Sequence, residues 1–102
     1  MKKITTSYKA GLLKRLANPK YAATYINAAL EEDSQEAILL ALRDVAEARG
    51  FGHLSRKTKL NRESMYRMLS KRGNPELSSL TRLLKSMGLS LAVHVEKQAR
   101  AA

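Results

Sequence analysis

Four polar side chains recur at helical spacing between residues 62 and 71, and their types are those that recognise DNA bases: Arg62, Glu63, Tyr66 and Arg67. A guanidinium grips guanine through two hydrogen bonds, a carboxylate accepts from the cytosine amino group, and an apolar ring contacts a thymine methyl. The pattern predicts a helix that lies in the major groove and reads base edges. Glu63 has a second interpretation, because a glutamate also pairs with a basic residue one turn on, here Arg67.

The residues before this helix predict how it is presented. Residues 53–58 predict a short helix and residues 59–61 a turn, and Asn61 suits the N-cap of the helix at 62–71 and reaches a base or phosphate. Apolar residues fall where the two helices must touch each other and the core: Leu54, Thr58, Leu60, Met65, Met68 and Leu69. Four basic residues that flank the helix are predicted to contact phosphates: Lys57, Lys59, Lys71 and Arg72. Residues 53–71 therefore predict a helix-turn-helix DNA reader.

The distribution of charge agrees with this prediction. The formal net charge of the 102 residues is +10. From Leu54 onward there are eleven Lys or Arg and three acids, whereas the first 53 residues hold eight bases and six acids. The excess positive charge lies with the predicted reader, where phosphates would be met.

The remaining patterns predict one mainly helical domain. Residues 1–18 are basic and weakly patterned, which indicates a partly flexible arm, and residues 19–102 form the domain proper. Asn18 and Pro19 suit the start of a helix running to about Glu32. A capping-box spacing from Asp33 to Glu36 opens a second helix to about Arg49. Asn74 and Pro75 predict the start of a last helix, at 76–87, which brings the expected number of helices to five.

The tail changes to a period of two, with four apolar residues in alternation: Leu89, Leu91, Val93 and Val95. This pattern predicts a short C-terminal β-strand over residues 89–96. A strand needs a neighbour for its backbone groups. Three partners remain open: the arm at residues 3–8, the same strand of a second copy, or another protein. We favour the second copy, so that the four apolar residues form a homodimer interface.

No arrangement for catalysis or metal binding emerges. There is no cysteine, and His53 and His94 are isolated from further ligands, so we expect no metal, no cofactor and no enzymatic activity. The lack of cysteine fits a reducing cytoplasm. No apolar run has the length of a membrane span, and the N-terminus lacks the apolar stretch of a signal peptide. We expect a cytoplasmic protein that does not contact membranes.

With these features placed, the sequence resembles the small HigA-like antidote proteins of bacterial addiction modules, in the Xre or phage-repressor-like helix-turn-helix group. The resemblance covers residues 19–95 and is carried by five segments: 28–32, 42–50, 60–67, 73–80 and 85–89. The run Arg62-Glu63-Ser64-Met65-Tyr66 followed by Gly73-Asn74-Pro75 is its most specific part. The chain departs from the group at Lys59, where glycine is usual, and at Ser55, where alanine is usual.

The resemblance implies an antitoxin that neutralises a RelE/ParE-like (HigB-type) toxin and represses its own operon as a homodimer bound to operator DNA. A toxin that acts on RNA would carry a basic surface, so an acidic and aromatic surface of the antidote is expected to meet it. The candidates are Tyr21, Tyr25, Glu31 and Glu32. Two alternatives remain open. One is a stand-alone phage-type repressor, and the other is a protein-binding inhibitor whose reader is vestigial.

Overall fold

A computed structural model describes residues 6–97, which form six α-helices. Their bounds are α1 Thr6–Leu16, α2 Pro19–Leu30, α3 Gln35–Arg49, α4 Phe51–Thr58, α5 Arg62–Met68 and α6 Leu77–Ser86. The mainly helical class is confirmed, but there is one helix more than the sequence predicted. No helix within these residues is long and apolar enough to cross a membrane.

The additional helix is α1, which lies where a partly flexible arm was expected. Leu16 at its end is fully buried, and Leu12 one turn earlier packs against the core. Lys9 on its exposed side pairs with Glu47 of α3 at 3.3 Å. Residues 6–16 therefore belong to the folded unit, and only residues 1–5 of the predicted arm lie outside the described residues.

Local capping explains most helix boundaries. Asn18 accepts a hydrogen bond from the Lys20 amide and Pro19 opens α2, as predicted. The cap of α3 is Ser34, which accepts from the Ala37 amide, and it lies one residue beyond the Asp33 expected from the capping-box spacing. Asp33 instead takes a positive φ of 54° in the connecting turn.

Two other boundaries differ from the prediction near the reader. Helix α5 ends at Met68, not Lys71, because the Ser70 hydroxyl donates to the Arg67 carbonyl and closes the last turn. Helix α6 begins at Leu77 with Glu76 as N-cap, so Asn74 and Pro75 do not open it. A proline disfavours helical geometry in the residue before it, and the chain remains extended through Glu76.

The predicted strand over residues 89–96 is absent from the described residues. Residues 91–96 carry no regular structure, and the side chains of Val93 and Val95 are 98% and 88% exposed. The proposed partner within the chain is partly excluded, since residues 6–8 are helical; residues 3–5 lie outside the described residues. A strand without a neighbour has no ladder, which accounts for the difference.

The core joins all six helices. Helix α3 packs against α1, α2 and α4, and α4 in turn contacts α5 and α6. Two side chains of α3 reach across to later segments: Arg43 donates to the Leu69 carbonyl and Arg49 to the Met87 carbonyl. Helix α3 therefore holds the C-terminal ends of α5 and α6.

Candidate nucleic-acid interface

The turn between α4 and α5 is held by side-chain hydrogen bonds. Lys59 adopts the left-handed conformation, with φ 64° and ψ 18°, and its amide donates to the Ser55 carbonyl. The Ser55 hydroxyl donates to the Leu60 carbonyl at 2.7 Å. A left-handed residue with a side chain costs on the order of 1 kcal/mol, and these bonds offset that cost. The unusual residues at 55 and 59 therefore fit the turn.

Thr58 connects the turn to the core. Its hydroxyl donates to the Leu54 carbonyl at 2.7 Å and accepts from the Leu60 amide at 3.1 Å, and the residue is buried. Arg82 of α6 donates to the Thr58 carbonyl at 3.3 Å. These bonds within the turn, together with the bond to α6, hold α5 in a fixed relation to α4.

Helix α5 begins and packs as the sequence predicted. The Asn61 side chain accepts from the Ser64 amide at 2.7 Å, which is the expected N-cap. The apolar residues predicted to join the helices are buried or half-buried, namely Leu54, Thr58, Leu60, Met65, Met68 and Leu69. The opposite side of the helix is thereby left to solvent.

That exposed side, here called the α5 outer face, consists of Arg62, Glu63, Tyr66 and Arg67. Tyr66 stacks on Phe51, with ring centroids 4.4 Å apart, and remains about half exposed. The Arg62 guanidinium lies against Gly52, where any added side chain would collide with it. Glu63 and Arg67 form no ion pair within residues 6–97, so the pairing expected between them is not seen. Arg67 is the less restrained of the two arginines.

The basic side chains that flank α5 lie in three places. Lys57 and Lys59 are exposed on the turn side of α4. Arg72 lies beyond α5 and lines an open groove with Arg67 and with Ser79 of α6. Lys71 turns toward α3 and lies 3.7 Å from Glu36, with both side chains more than half exposed. An exposed pair of this kind contributes at most about 1 kcal/mol, so it exchanges readily for another anion.

Three residues outside the predicted site shape this surface. Phe51 supports the Tyr66 ring, Gly52 makes room for Arg62, and Gly73 lets the chain turn closely over the Met68 carbonyl, where a Cβ atom would collide. The sequence did contain a signal for the start of α4, namely the glycine at position 50. Gly50 takes φ 96° and is both the C-cap of α3 and the N-cap of α4. The helix therefore begins at Phe51 and not at His53.

The residues expected to meet a toxin are spread along α2 and just beyond its end. Tyr21 lies near the start of α2, and Glu31 and Glu32 are exposed just beyond its end. Ten residues of helix separate Tyr21 from Glu31 by about 15 Å. The Tyr21 hydroxyl accepts from Arg15, whose guanidinium also lies over the ring. This basic neighbour makes the surroundings of Tyr21 less acidic than expected.

Tyr25 is committed to an internal contact. Its hydroxyl donates to the Asp44 carboxylate at 2.6 Å, and the side chain is half-buried. Burial raises the pKa of the Tyr25 hydroxyl well above its usual value, and the hydrogen bond to Asp44 adds to the shift. The residue links α2 to α3, and its expected contact with a toxin stays a prediction.

No group of three His, Cys, Asp or Glu side chains within residues 6–97 is arranged to hold a metal ion. The most prominent chemical feature of the described residues is instead an exposed set of cations and one aromatic ring around α5. Such a set can bind a polyanion through charge and contact bases through Arg67 and Tyr66.

Comparison with known proteins gives the family. Residues 7–95 match the family model described as a probable addiction module antidote protein. An uncharacterized protein of Haemophilus influenzae is 34% identical over 80 residues, which cover 78% of this chain and 82% of that relative. No solved structure matches. The chain therefore belongs to the family of probable addiction module antidote proteins.

Proposed function

We propose that this chain is an antitoxin that represses its own operon by binding operator DNA as a homodimer and neutralises a RelE/ParE-like toxin. The α4–α5 unit, residues 51–68, acts as its helix-turn-helix reader. The observation that carries the DNA-binding part is the α5 outer face, where Arg67 and Tyr66 project from a helix whose opposite side is buried. The antidote family supports the role of a protein that counteracts a toxin.

Within this proposal the exposed residues divide into two groups. Arg67 and Arg62 contact base edges, with Tyr66 on a thymine methyl or a phosphate and Asn61 fixed mainly as the N-cap. Lys57, Lys59, Lys71 and Arg72 contact phosphates, which positions the helix without reading sequence. Glu63 is free of Arg67 and therefore available to accept from a cytosine amino group.

Binding of the protein to a duplex from the region upstream of its own coding sequence tests the DNA-binding part. The comparison is a duplex of the same length and composition in scrambled order, at one fixed salt concentration. We expect at least about a 10³-fold preference for the upstream duplex, as specific binders show at physiological salt. Equal affinity for both duplexes would remove the proposed repressor function.

Growth rescue tests the antitoxin part, with the product of the adjacent small reading frame expressed as the toxin. We expect rescue by the wild-type chain and weaker rescue by the double variant Glu31→Lys, Glu32→Lys, since both carboxylates are exposed and neither closes a hydrogen bond within residues 6–97. Tyr21→Ala examines the aromatic part of the same prediction. Unchanged rescue by both variants would place the toxin contact elsewhere, and no rescue by wild type would reject this toxin as partner.

A further inference from the structure

The tail, residues 89–97, leaves the core with an apolar side that nothing within residues 6–97 covers. Leu89 still packs against the core, and its amide donates to the Leu84 carbonyl at 2.8 Å. Beyond it Leu91, Val93 and Val95 are 53%, 98% and 88% exposed. The backbone of residues 90–97 makes no hydrogen bond to the described backbone. Residues 90–96 carry no regular structure, and a segment whose amides and carbonyls have no backbone partner can pair with another strand.

The surroundings of the tail extend this apolar surface. Leu91 lines an open groove of about 230 Å³ together with Ile26 and Leu30 of α2 and Leu84 of α6. Leu30 is itself about half exposed. Large exposed aliphatic side chains that adjoin one another mark an interaction site. We propose that a second copy of this chain covers it, with the two tails paired as antiparallel strands in a register centred on Val93.

The self-pairing follows from the order of residues in the tail. When a two-fold axis perpendicular to the sheet relates two antiparallel strands, one residue faces its own copy and its neighbours pair symmetrically about it. With Val93 at the centre, Leu91 faces Val95 of the second copy. The three exposed apolar residues of this side, Leu91, Val93 and Val95, then meet apolar residues, while Ala92 faces His94 on the other side.

Other registers fit the sequence less well. A centre at Val95 places Val93 opposite Lys97, and a centre at His94 places Leu91 opposite Lys97. A centre at Leu91 places Val95 opposite Met87, which is buried at the end of α6 and cannot pair. A centre at Ala92 places Val95 opposite Leu89, whose amide is bonded to the Leu84 carbonyl and whose side chain packs against the core. The register at Val93 pairs the three exposed apolar residues with one another and leaves only Lys97 opposite Leu89. All these registers keep the apolar side chains on one face, so they differ only in which side chains meet across the axis.

Charge also favours a second copy as the occupant. The chain carries a formal net charge of +10, which opposes self-association over most of its surface. The tail holds one acid and one base, Glu96 and Lys97, so two tails meet without net charge. A two-stranded ribbon alone is marginal in water, and the groove residues of α2 and α6 provide the layer on which it packs. The proposal rests on the proposed function, in which a repressor presents two readers at a fixed separation.

Single cysteine variants test the register, because the natural chain has no cysteine. Under mild oxidation Val93→Cys should form a disulfide-linked dimer, since residues that face each other bring their Cβ atoms within disulfide reach. His94→Cys, which is equally exposed, should stay unlinked because its copy is displaced by two residues along the strand. A disulfide formed by His94→Cys or Val95→Cys in place of Val93→Cys overturns the register.

Mixing two variants gives an independent readout. Leu91→Cys and Val95→Cys should each remain single chains when oxidised alone and should link to each other when mixed. Because these side chains are more than half exposed in the single chain, the substitutions leave the fold intact. Failure of both the Val93→Cys and the mixed linkage overturns the proposal, whatever else the tail binds.

Sedimentation of two variants without cysteine, Val93→Arg and Leu40→Arg, tests this interface independently of the proposed function. Val93→Arg should raise the dimer dissociation constant by at least about tenfold, since two like charges would face each other across the axis. Leu40→Arg, on the exposed side of α3, is the matched control and should leave dimerisation unchanged. If the protein prefers its upstream duplex but Val93→Arg dimerises as well as wild type, the proposed repressor function stands and this interface is rejected.

Discussion

The basic side chains of α1–α3 and those of the α4–α5 unit are used in different ways. Of the six Lys and Arg between residues 6 and 49, four contact other groups of the protein: Lys9, Arg15, Arg43 and Arg49. Of the five between residues 51 and 68, none forms an ion pair or a side-chain hydrogen bond within residues 6–97. The first set stabilises the fold, and the second is left for an external anion.

The difference shows that net charge alone says little about binding. Arg43 and Arg49 donate to backbone carbonyls that close helix ends, so their charges are already engaged in the fold. Lys57, Lys59 and Arg67 have equal formal charge but no internal partner. We therefore expect substitutions in α1–α3 to change stability and substitutions around α5 to change DNA affinity.

The largest expected effect is on stability, at Tyr25. Tyr25→Phe removes the 2.6 Å hydrogen bond to Asp44 and should lower the free energy of unfolding by about 1.5–3 kcal/mol, the usual range for a hydrogen bond to a charged group. Urea denaturation measures this, and affinity for the upstream duplex should not change. Tyr66→Phe is the matched control, because the Tyr66 hydroxyl has no hydrogen bond within residues 6–97. Equal stability of wild type and Tyr25→Phe would contradict the assignment.

The same residue gives a pH dependence with a defined sign. The pKa of Tyr25 is raised in the folded protein by burial and by Asp44. Its contribution to stability is thus complete below the unfolded pKa, about 10, and is lost as the pH rises above that value. The stability of wild type should begin to fall toward that of Tyr25→Phe above about pH 10, and the fall should continue with rising pH because the folded pKa lies well above that value. A difference between the two that stays constant over this range would show that the hydroxyl does not titrate as described.

A smaller effect is expected on DNA affinity at Lys57. Lys57→Ala should weaken binding to the upstream and scrambled duplexes alike and reduce the slope of log affinity against log salt by roughly one unit, because one phosphate contact is lost. Unfolding should change by no more than about 0.5 kcal/mol. Lys14→Ala, on the exposed side of α1, removes the same charge away from the reader and is the control. Equal salt slopes for both variants would mean that lysines of α1 and of the α4–α5 unit contribute equally to DNA binding.

The smallest effect concerns the pair between Glu36 and Lys71, which links the two regions. Glu36→Gln frees Lys71 and should strengthen binding to both duplexes slightly, by less than about 1 kcal/mol. Glu47→Gln, which breaks the comparable pair with Lys9 of α1, should leave DNA affinity unchanged. Weaker DNA binding by Glu36→Gln would show that the carboxylate supports the reader and does not compete with DNA for Lys71.

The sequence was most informative where structure depends on near neighbours. Asn18 and Asn61 cap helices through amides two and three residues away, and the left-handed turn at Lys59 is closed by Ser55 and Thr58. These signals lie within a few residues of each other, so the end of α4, the turn and the start of α5 could be predicted, whereas the start of α4 and the end of α5 were each displaced by two or three residues.

Features that depend on distant residues were missed. The contact of Tyr25 with Asp44 joins residues 19 apart and has no local signature. Helix α1 had a usable signal in Leu12 and Leu16, one turn apart, but its basic composition indicated a flexible arm. The tail has the alternation of a strand, yet its partner lies outside the single chain, so pattern alone could not form it.

The central claim is that the α5 outer face reads DNA sequence, and Arg67 tests it most directly. The measurement is the ratio of affinities for the upstream and scrambled duplexes, compared between wild type, Arg67→Ala and the control Lys14→Ala at one salt concentration. The account predicts that Arg67→Ala loses about 1–3 kcal/mol of this preference and keeps its stability, while Lys14→Ala keeps both. An unchanged ratio for Arg67→Ala, in a protein as stable as wild type, would contradict the claim.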